Sequence, residues 1–368
     1  MKQLVEAIRK RDANSVSDIL RRSPELVSAC DADAFGATPL IHAVLTDERG
    51  LVDLLLDAGA DVDQRSDWWA GGFGVLDHGS DAMSEYLLER GATLTPHAAA
   101  RLGLIDELRA MIEQDAERVH ERGGDGQYPL HFARTPEIAD VLLHGGAEID
   151  ARDVDHESTA AQWQATRVPD VAFHLLGRGC EADPFLAAAA GRIDVLERLA
   201  TADAAFLQRR VSRAWFSTRG ERAAEHIYFY TIGAGTTPLH AAALTNQGDV
   251  VRCLMDRGVD PEARGGYDEQ TPLHVAAWHD AVDAAEALLD GGGDLEARSG
   301  SIHHNQPLGW AIVSGGEEMV RLLLGRGATL HPHHREAAEA GAQGHFRAYN
   351  RARPPGAWTR VRKLVRDR

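Results

Sequence analysis

Residues 237–242, TPLHAA, recur as TPLIHA at 38–43 and TPLHVA at 271–276, and in degenerate form as YPLHFA at 128–133 and QPLGWA at 306–311. The phrase has the chemistry of a helix start. Thr caps, Pro fills the first turn where its missing N–H costs nothing, and Leu with paired alanines makes a thin apolar face. A second phrase follows at helix distance, in forms such as LLLDAGADVD, CLMDRGVDPE and LLLGRGATLH. Its glycines, Gly59, Gly91, Gly146, Gly179, Gly258, Gly292 and Gly327, are separated by 32, 55, 33, 79, 34 and 35 residues. Separations near 33 are one repeat, and the longer ones are two repeats or two with an insertion. Each glycine is expected to end a helix in the left-handed conformation. One such unit cannot bury its apolar face alone, so neighbours must stack.

With Asp33, Gly36, Thr38, Pro39, Leu40 and Ala43, and again with Thr237–Ala243 and Thr271–Ala277, the chain resembles the ankyrin-repeat family over roughly residues 1–346. The resemblance implies an all-α repeat solenoid of stacked helix-turn-helix repeats, with hairpin fingers and a concave groove formed by fingers and inner helices. It also implies that His131, His240 and His274 are hydrogen-bonding scaffold residues. The expected organisation is N-terminal repeats over 1–205, an insertion over 206–234, C-terminal repeats and cap over 235–346, and a basic tail over 347–368. Three repeats are compressed, their helices starting at Pro96, Pro184 and Pro332 with the finger skipped.

After the second compressed repeat about 21 residues are inserted, within QRRVSRAWFSTRGERAAEHIYFYTIGAG at 208–235. VSRAWFS and HIYFYTI alternate aromatic and β-branched residues around a polar turn, which predicts one long β-hairpin. On its second strand His226, Tyr228 and Tyr230 would share a face, opposite Ile227, Phe229 and Thr231. Such a finger would reach over the groove and clamp a partner, with Trp215, Tyr228, Tyr230 and Trp278 as aromatic anchors.

Other candidates lie in the fingers and at inner-helix ends. His156 and Glu157 in VDHEST, Tyr267, Asp268 and Glu269 in GYDEQT, and His303 and His304 in SIHHNQ precede helix starts. Trp278 and His279 follow the paired alanines, Asp77 and His78 align with them, and Trp310 and Trp163 lie nearby on their own helices. Aromatics and imidazoles at ligand-facing positions suit a pocket. Were the chain a catalyst, His226, Tyr228, Glu269, His279 and His303 would be its acid and base groups.

Composition narrows the classes. The formal charge of −17 argues against nucleic-acid binding through the body and for a basic partner surface. The tail from Arg347 to Arg368 instead carries eight Lys or Arg against one Asp. It reads as a solvated end, or as a segment docked on its own body or on an anionic partner. Cys30, Cys180 and Cys253 form no C-x-x-C, and His331–His334 and His303–His304 are weak metal signals, so neither metal nor cofactor is expected. No Walker, Rossmann or nucleophile-elbow motif occurs. MKQLVEAIRK reads as an amphipathic helix and no apolar run would span a membrane, so a cytoplasmic protein is expected. Arg outnumbers Lys 36 to 3, which suggests a GC-rich, bacterial genome. The leading expectation is recognition of a protein or peptide in the groove. The alternatives are a small-molecule binder or unusual enzyme beneath the hairpin, and an RNA or membrane-surface role for the tail.

Overall fold

Thr38 begins its helix as expected: its Oγ1 accepts the Ile41 N–H at 3.2 Å, and Pro39 fills the first turn. The helix Pro39–Thr46 is buried from Pro39 through Val44, so it lies inside the stack. Its partner Arg49–Asp57 buries only Leu51, Val52 and Leu55, one stripe of an outer amphipathic helix. The same pairing recurs along the chain. The computed structural model describes residues 1–212, 225–300, 305–347, 353–354 and 356–368. It divides into two compact units, Met1–Ala160 and the described residues from Ala161 onward.

In the first unit the helix pairs include Lys2–Arg9 with Ala13–Arg22, Pro39–Thr46 with Arg49–Asp57, and Pro96–Leu102 with Ile105–Gln114. At Val75–Asp77 and Pro129–Phe132 the inner helix shrinks to a 3-10 turn. In the second unit Pro184–Ala189 pairs with Ile193–Ala202, Pro238–Leu244 with Gly248–Asp256, Pro272–His279 with Val282–Asp290, and Pro307–Ser314 with Glu317–Gly325. The glycines of the second phrase have φ between +79° and +102°, the left-handed turn that ends each outer helix. Gly36 meets a stricter demand: at φ +63°, a Cβ there would lie 2.2 Å from the Asp67 carbonyl oxygen of the next finger.

The histidines of the repeat phrase join one repeat to the next. His240 Nδ1 accepts the Thr237 N–H at 3.2 Å, while its Nε2 lies 3.1 Å from the Gln270 carbonyl. A carbonyl only accepts, so the proton is on Nε2. His274 does the same between Thr271 and Asn305, and His131 between Tyr128 and Ser158. Burial pushes all three down to about 4.

Two expectations are corrected. Among the described residues there is no strand, only isolated bridges Asp31–Ala37, Arg152–Thr159 and Gly265–Gln270 at the fingers. The second strand of the predicted β-hairpin is not formed: Ile227–Thr231 is a short helix whose start is capped by the His226 side chain. The alternation fails because Ile227, Tyr228 and Phe229 are all buried in succession, while Tyr230 is 58% exposed. Most of the other expected strand, from residue 213 on and including Trp215, lies outside the described residues.

The described part of the tail is not a solvated end. Ala357–Arg366 is a helix that buries Ala357, Trp358, Val361 and Val365 against Pro332–Ala342 and Glu317–Gly325. The Trp358 indole donates to the Val313 carbonyl at 3.0 Å, and Arg353, Arg360 and Arg362 pair with Asp280, Glu317 and Glu339. Three arginines of the tail thus pair with acids of the preceding repeats, and its apolar stripe packs on the last helices.

The histidine links carry a pH dependence. An unfolded histidine binds its proton near 6.5, whereas folded His131, His240 and His274 bind theirs only near 4. Their contribution is complete above pH 6.5 and is lost as pH falls from there toward 4, on the order of 3 kcal/mol per histidine. His240→Ala is expected to lower stability by about 2–3 kcal/mol at pH 7. In urea titrations run across this pH range it should also remove about one proton from the acid-linked slope. An unchanged slope would contradict the assignment.

Candidate functional site

In the second unit Pro238–Leu244, Pro272–His279 and Pro307–Ser314 pack side by side as inner helices. Alanines make this possible: Ala276, Ala277 and Ala311 are fully buried, so the helices approach closely and larger residues are displaced to their edges. Trp278 and His279 close one helix at its C-terminal end, where Asp280 takes a left-handed turn at φ 61°. Asp280 fixes that end twice, accepting the Met319 N–H at 3.1 Å and pairing with Arg353 at 2.7 Å.

A cavity of about 400 Å³ opens beside these ends, lined by Thr231, Ile232, Leu244, Asp268, Gln270, Val275, Trp278, His279, Trp310 and Val313. It brings together candidates from two classes, the inner-helix aromatics and the finger residue Asp268. The Trp278 and Trp310 rings meet edge to face, centroids 5.6 Å apart at 73°. Trp310 Nε1 donates to Ser299 Oγ at 3.3 Å, and His274 packs against the same indole at 5.8 Å. The side chains of Asp268, Trp278 and His279 make no hydrogen bond or ion pair among the described residues. Packing around the His279 ring, and next the Arg353 guanidinium, lowers its pKa. Solvent still reaches this residue, which limits the size of the shift but not its direction, so His279 is neutral at pH 7. Tyr267 is 88% exposed at the finger tip beside Asp268, Glu269 follows at φ +49°, and Tyr230 is exposed beside Thr231.

His226 and Tyr228 sit elsewhere, inside the unit. The Tyr228 hydroxyl donates to Asp183 Oδ2 at 2.9 Å, Gln162 Nε2 donates to the same oxygen at 3.0 Å, and His226 Nε2 lies 3.1 Å from Gln162 Oε1. Asp183 Oδ1 accepts the Phe185 and Leu186 N–H groups and so caps the compressed helix that starts at Pro184. Burial raises the Asp183 pKa, and its donors Gln162, Leu186, Tyr228 and Phe185 draw it back. These side chains act as scaffold. His303 and His304 lie outside the described residues.

In the first unit Asp77 Oδ2 accepts the Gly74 N–H at 2.7 Å and lies 3.8 Å from Arg65, while His78 packs on Phe73. Burial lowers the His78 pKa. Glu157 is buried at φ +50°, and Trp163, in the second unit, is buried beneath the Arg167 guanidinium. His156 Nε2 stands 3.6 Å from Asp125 and 3.9 Å from Asp155, and these three offer ligand atoms within 4.8 Å of one another. They could hold a divalent cation, while a protonated His156 would balance the same carboxylates without one. Sequence reasoning missed a second aromatic group, Phe35, Trp68 and Trp69. Phe35 and Trp68 meet edge to face at 4.9 Å, and Phe35 and Trp69 are 59% and 58% exposed. The adjacent tryptophans in SDWWAGG were the available signal.

The family model described as "Ankyrin repeats (3 copies)" matches residues 158–299, and that described as "Ankyrin repeat" matches 35–67 and 125–154, together more than half of the chain. The chain belongs to the ankyrin-repeat family. It is similar to "Ankyrin repeat protein nuc-2" of Neurospora crassa, 30% identical over 143 residues, which are 38% of this chain and 11% of that protein. It is also similar to "Ankyrin repeat and SAM domain-containing protein 6" of Rattus norvegicus, 28% identical over 118 residues, 32% of this chain and 13% of that protein. The chain thus spans 11–13% of the length of these curated relatives. Both are eukaryotic, and neither speaks for the bacterial source suggested by arginine usage. Among solved structures, the human ASB11 ankyrin repeat domain shares 22% identity at a TM-score of 0.37, covering 63% of this chain and 98% of that one. No helix among the described residues is long and apolar enough to cross a membrane.

Asp183→Asn tests the scaffold reading of the buried ankyrin network. It turns an NH₂ group toward donors, and should cost about 2–3 kcal/mol in urea unfolding. A cost near zero would show that Asp183 is not the acceptor these bonds require.

Proposed function

We propose that this protein is a recognition module that binds a polypeptide partner along the inner-helix and finger side of its second unit, anchored at the Trp278–Trp310 cleft. The observation that carries the reading is the cleft itself: two half-exposed indoles meet an uncommitted finger carboxylate there. Ankyrin repeats generally mediate protein–protein interaction. Exposed Tyr230 and Tyr267 extend the aromatic surface from its margins, which suits an extended chain better than a compact small molecule. Thr231 and Ile232, the end of the insertion, form one wall, and this wall takes the gripping role first ascribed to a hairpin. The acidic body favours a partner with a basic surface.

The test is selection of twelve-residue peptides from a display library on the full chain, followed by titration of each against Trp278→Ala. Aromatic anchors at interface centres carry about 2 kcal/mol or more, so binding should weaken at least about thirtyfold. Peptides that bind the variant as well as they bind the wild type would overturn the proposal.

A further inference from the structure

The chemistry of the cleft specifies more than an aromatic anchor. Its lining is aromatic and aliphatic apart from Thr231, Asp268, Gln270 and His279, and Asp268 is the one charged residue among them. No lysine or arginine lines it among the described residues. The nearby guanidinium groups are already engaged: Arg353 pairs with Asp280 and donates to the Ser314 carbonyl at 3.1 Å, and Arg264 donates to the Glu269 and Arg298 carbonyls. His279 is neutral at pH 7 and repels no cation.

From this arrangement we infer that the anchor taken by the cleft is a cationic side chain, the lysine or arginine of a basic segment, held between the Trp278–Trp310 indole pair and the Asp268 carboxylate. The inference rests on the polypeptide reading above. An indole face attracts a cation through its ring quadrupole, and the attraction grows as water is displaced. Leu244, Val275, Val313 and Ile232 supply apolar surface for the methylene stem, so stem and head group find different walls. A leucine or phenylalanine anchor would bury the same apolar area but strip water from Asp268 without giving its carboxylate a partner. The cleft therefore discriminates by what it leaves unpaired as much as by what it attracts. Glu269, exposed on the same finger, and the charge of −17 add to this at longer range.

The test uses the full chain labelled with 5-fluorotryptophan, its Trp278 and Trp310 resonances assigned by Trp278→Phe and Trp310→Phe. The probes are the N-acetyl methylamides of arginine, lysine and leucine. The arginine and lysine probes should shift both resonances saturably and bind about tenfold more tightly than the leucine probe. Asp268→Asn should cut that preference severalfold, leaving what the indoles supply, whereas Asp18→Asn, an exposed carboxylate in the first unit, should not change it. A leucine probe that binds as tightly as arginine would overturn the cation inference and leave the polypeptide reading standing on peptide selection. Equal losses from Asp268→Asn and Asp18→Asn would assign the preference to net charge and overturn the site. No shift from any probe would also overturn it. The Asp268 variant keeps the test decisive should a tryptophan variant fold poorly.

Discussion

The structure depends on one contact made repeatedly: a neutral histidine at the start of an inner helix, its Nδ1 capped by the backbone N–H of its own threonine or tyrosine and its Nε2–H donated to the carbonyl of the next finger. The bond does two things at once. It satisfies an orphan group at the helix start, and it fixes the spacing between neighbouring repeats within a unit. Because the imidazole is buried and both nitrogens are committed, protonation would set a second N–H against a donor. Desolvation lowers the proton affinity, and the opposed N–H groups act in the same direction.

Where the histidine is absent the chain finds substitutes, and the insertion is one of them. In the compressed repeat at Pro184 the cap is Asp183, whose second oxygen receives Tyr228 from the insertion and Gln162 from the preceding repeat. Phe185 packs on the same tyrosine with ring centroids 5.5 Å apart. The short helix Ile227–Thr231 thus supplies this cap with a donor from the insertion. Its buried half belongs to the scaffold, and Thr231 and Ile232 at its end reach the cleft. The histidine links engage the starts of the inner helices and leave their C-terminal ends open, which is where Trp278 and His279 lie.

Local chemistry was readable and remote contacts were not. Threonine caps, first-turn prolines and left-handed glycines act within a few residues, so TPLHAA and its relatives announced the repeat. Repeat register put Trp278 and Trp310 on inner helices and Asp268 on a finger, but that the three line one cavity appears only in the fold. The segment HIYFYTI misled because alternation over seven residues fits a strand and a buried helical turn alike, and the deciding partner, Asp183, lies 45 residues away. In the tail the charge count hid the better signal, the spacing of Trp358, Val361 and Val365 on one helical face. Phe35 joins Trp68 through finger stacking, a contact across 33 residues that the repeat spacing and not the local pattern marks.

The most direct test of the account is side-chain ¹⁵N NMR of the histidines, followed from pH 7.5 down to pH 4. His131, His240 and His274 should carry their proton on Nε2 throughout the neutral range and begin to titrate only near 4. A proton on Nδ1, or titration near the ordinary value of 6.5, would contradict the histidine link on which the stacking of the repeats is argued to rest.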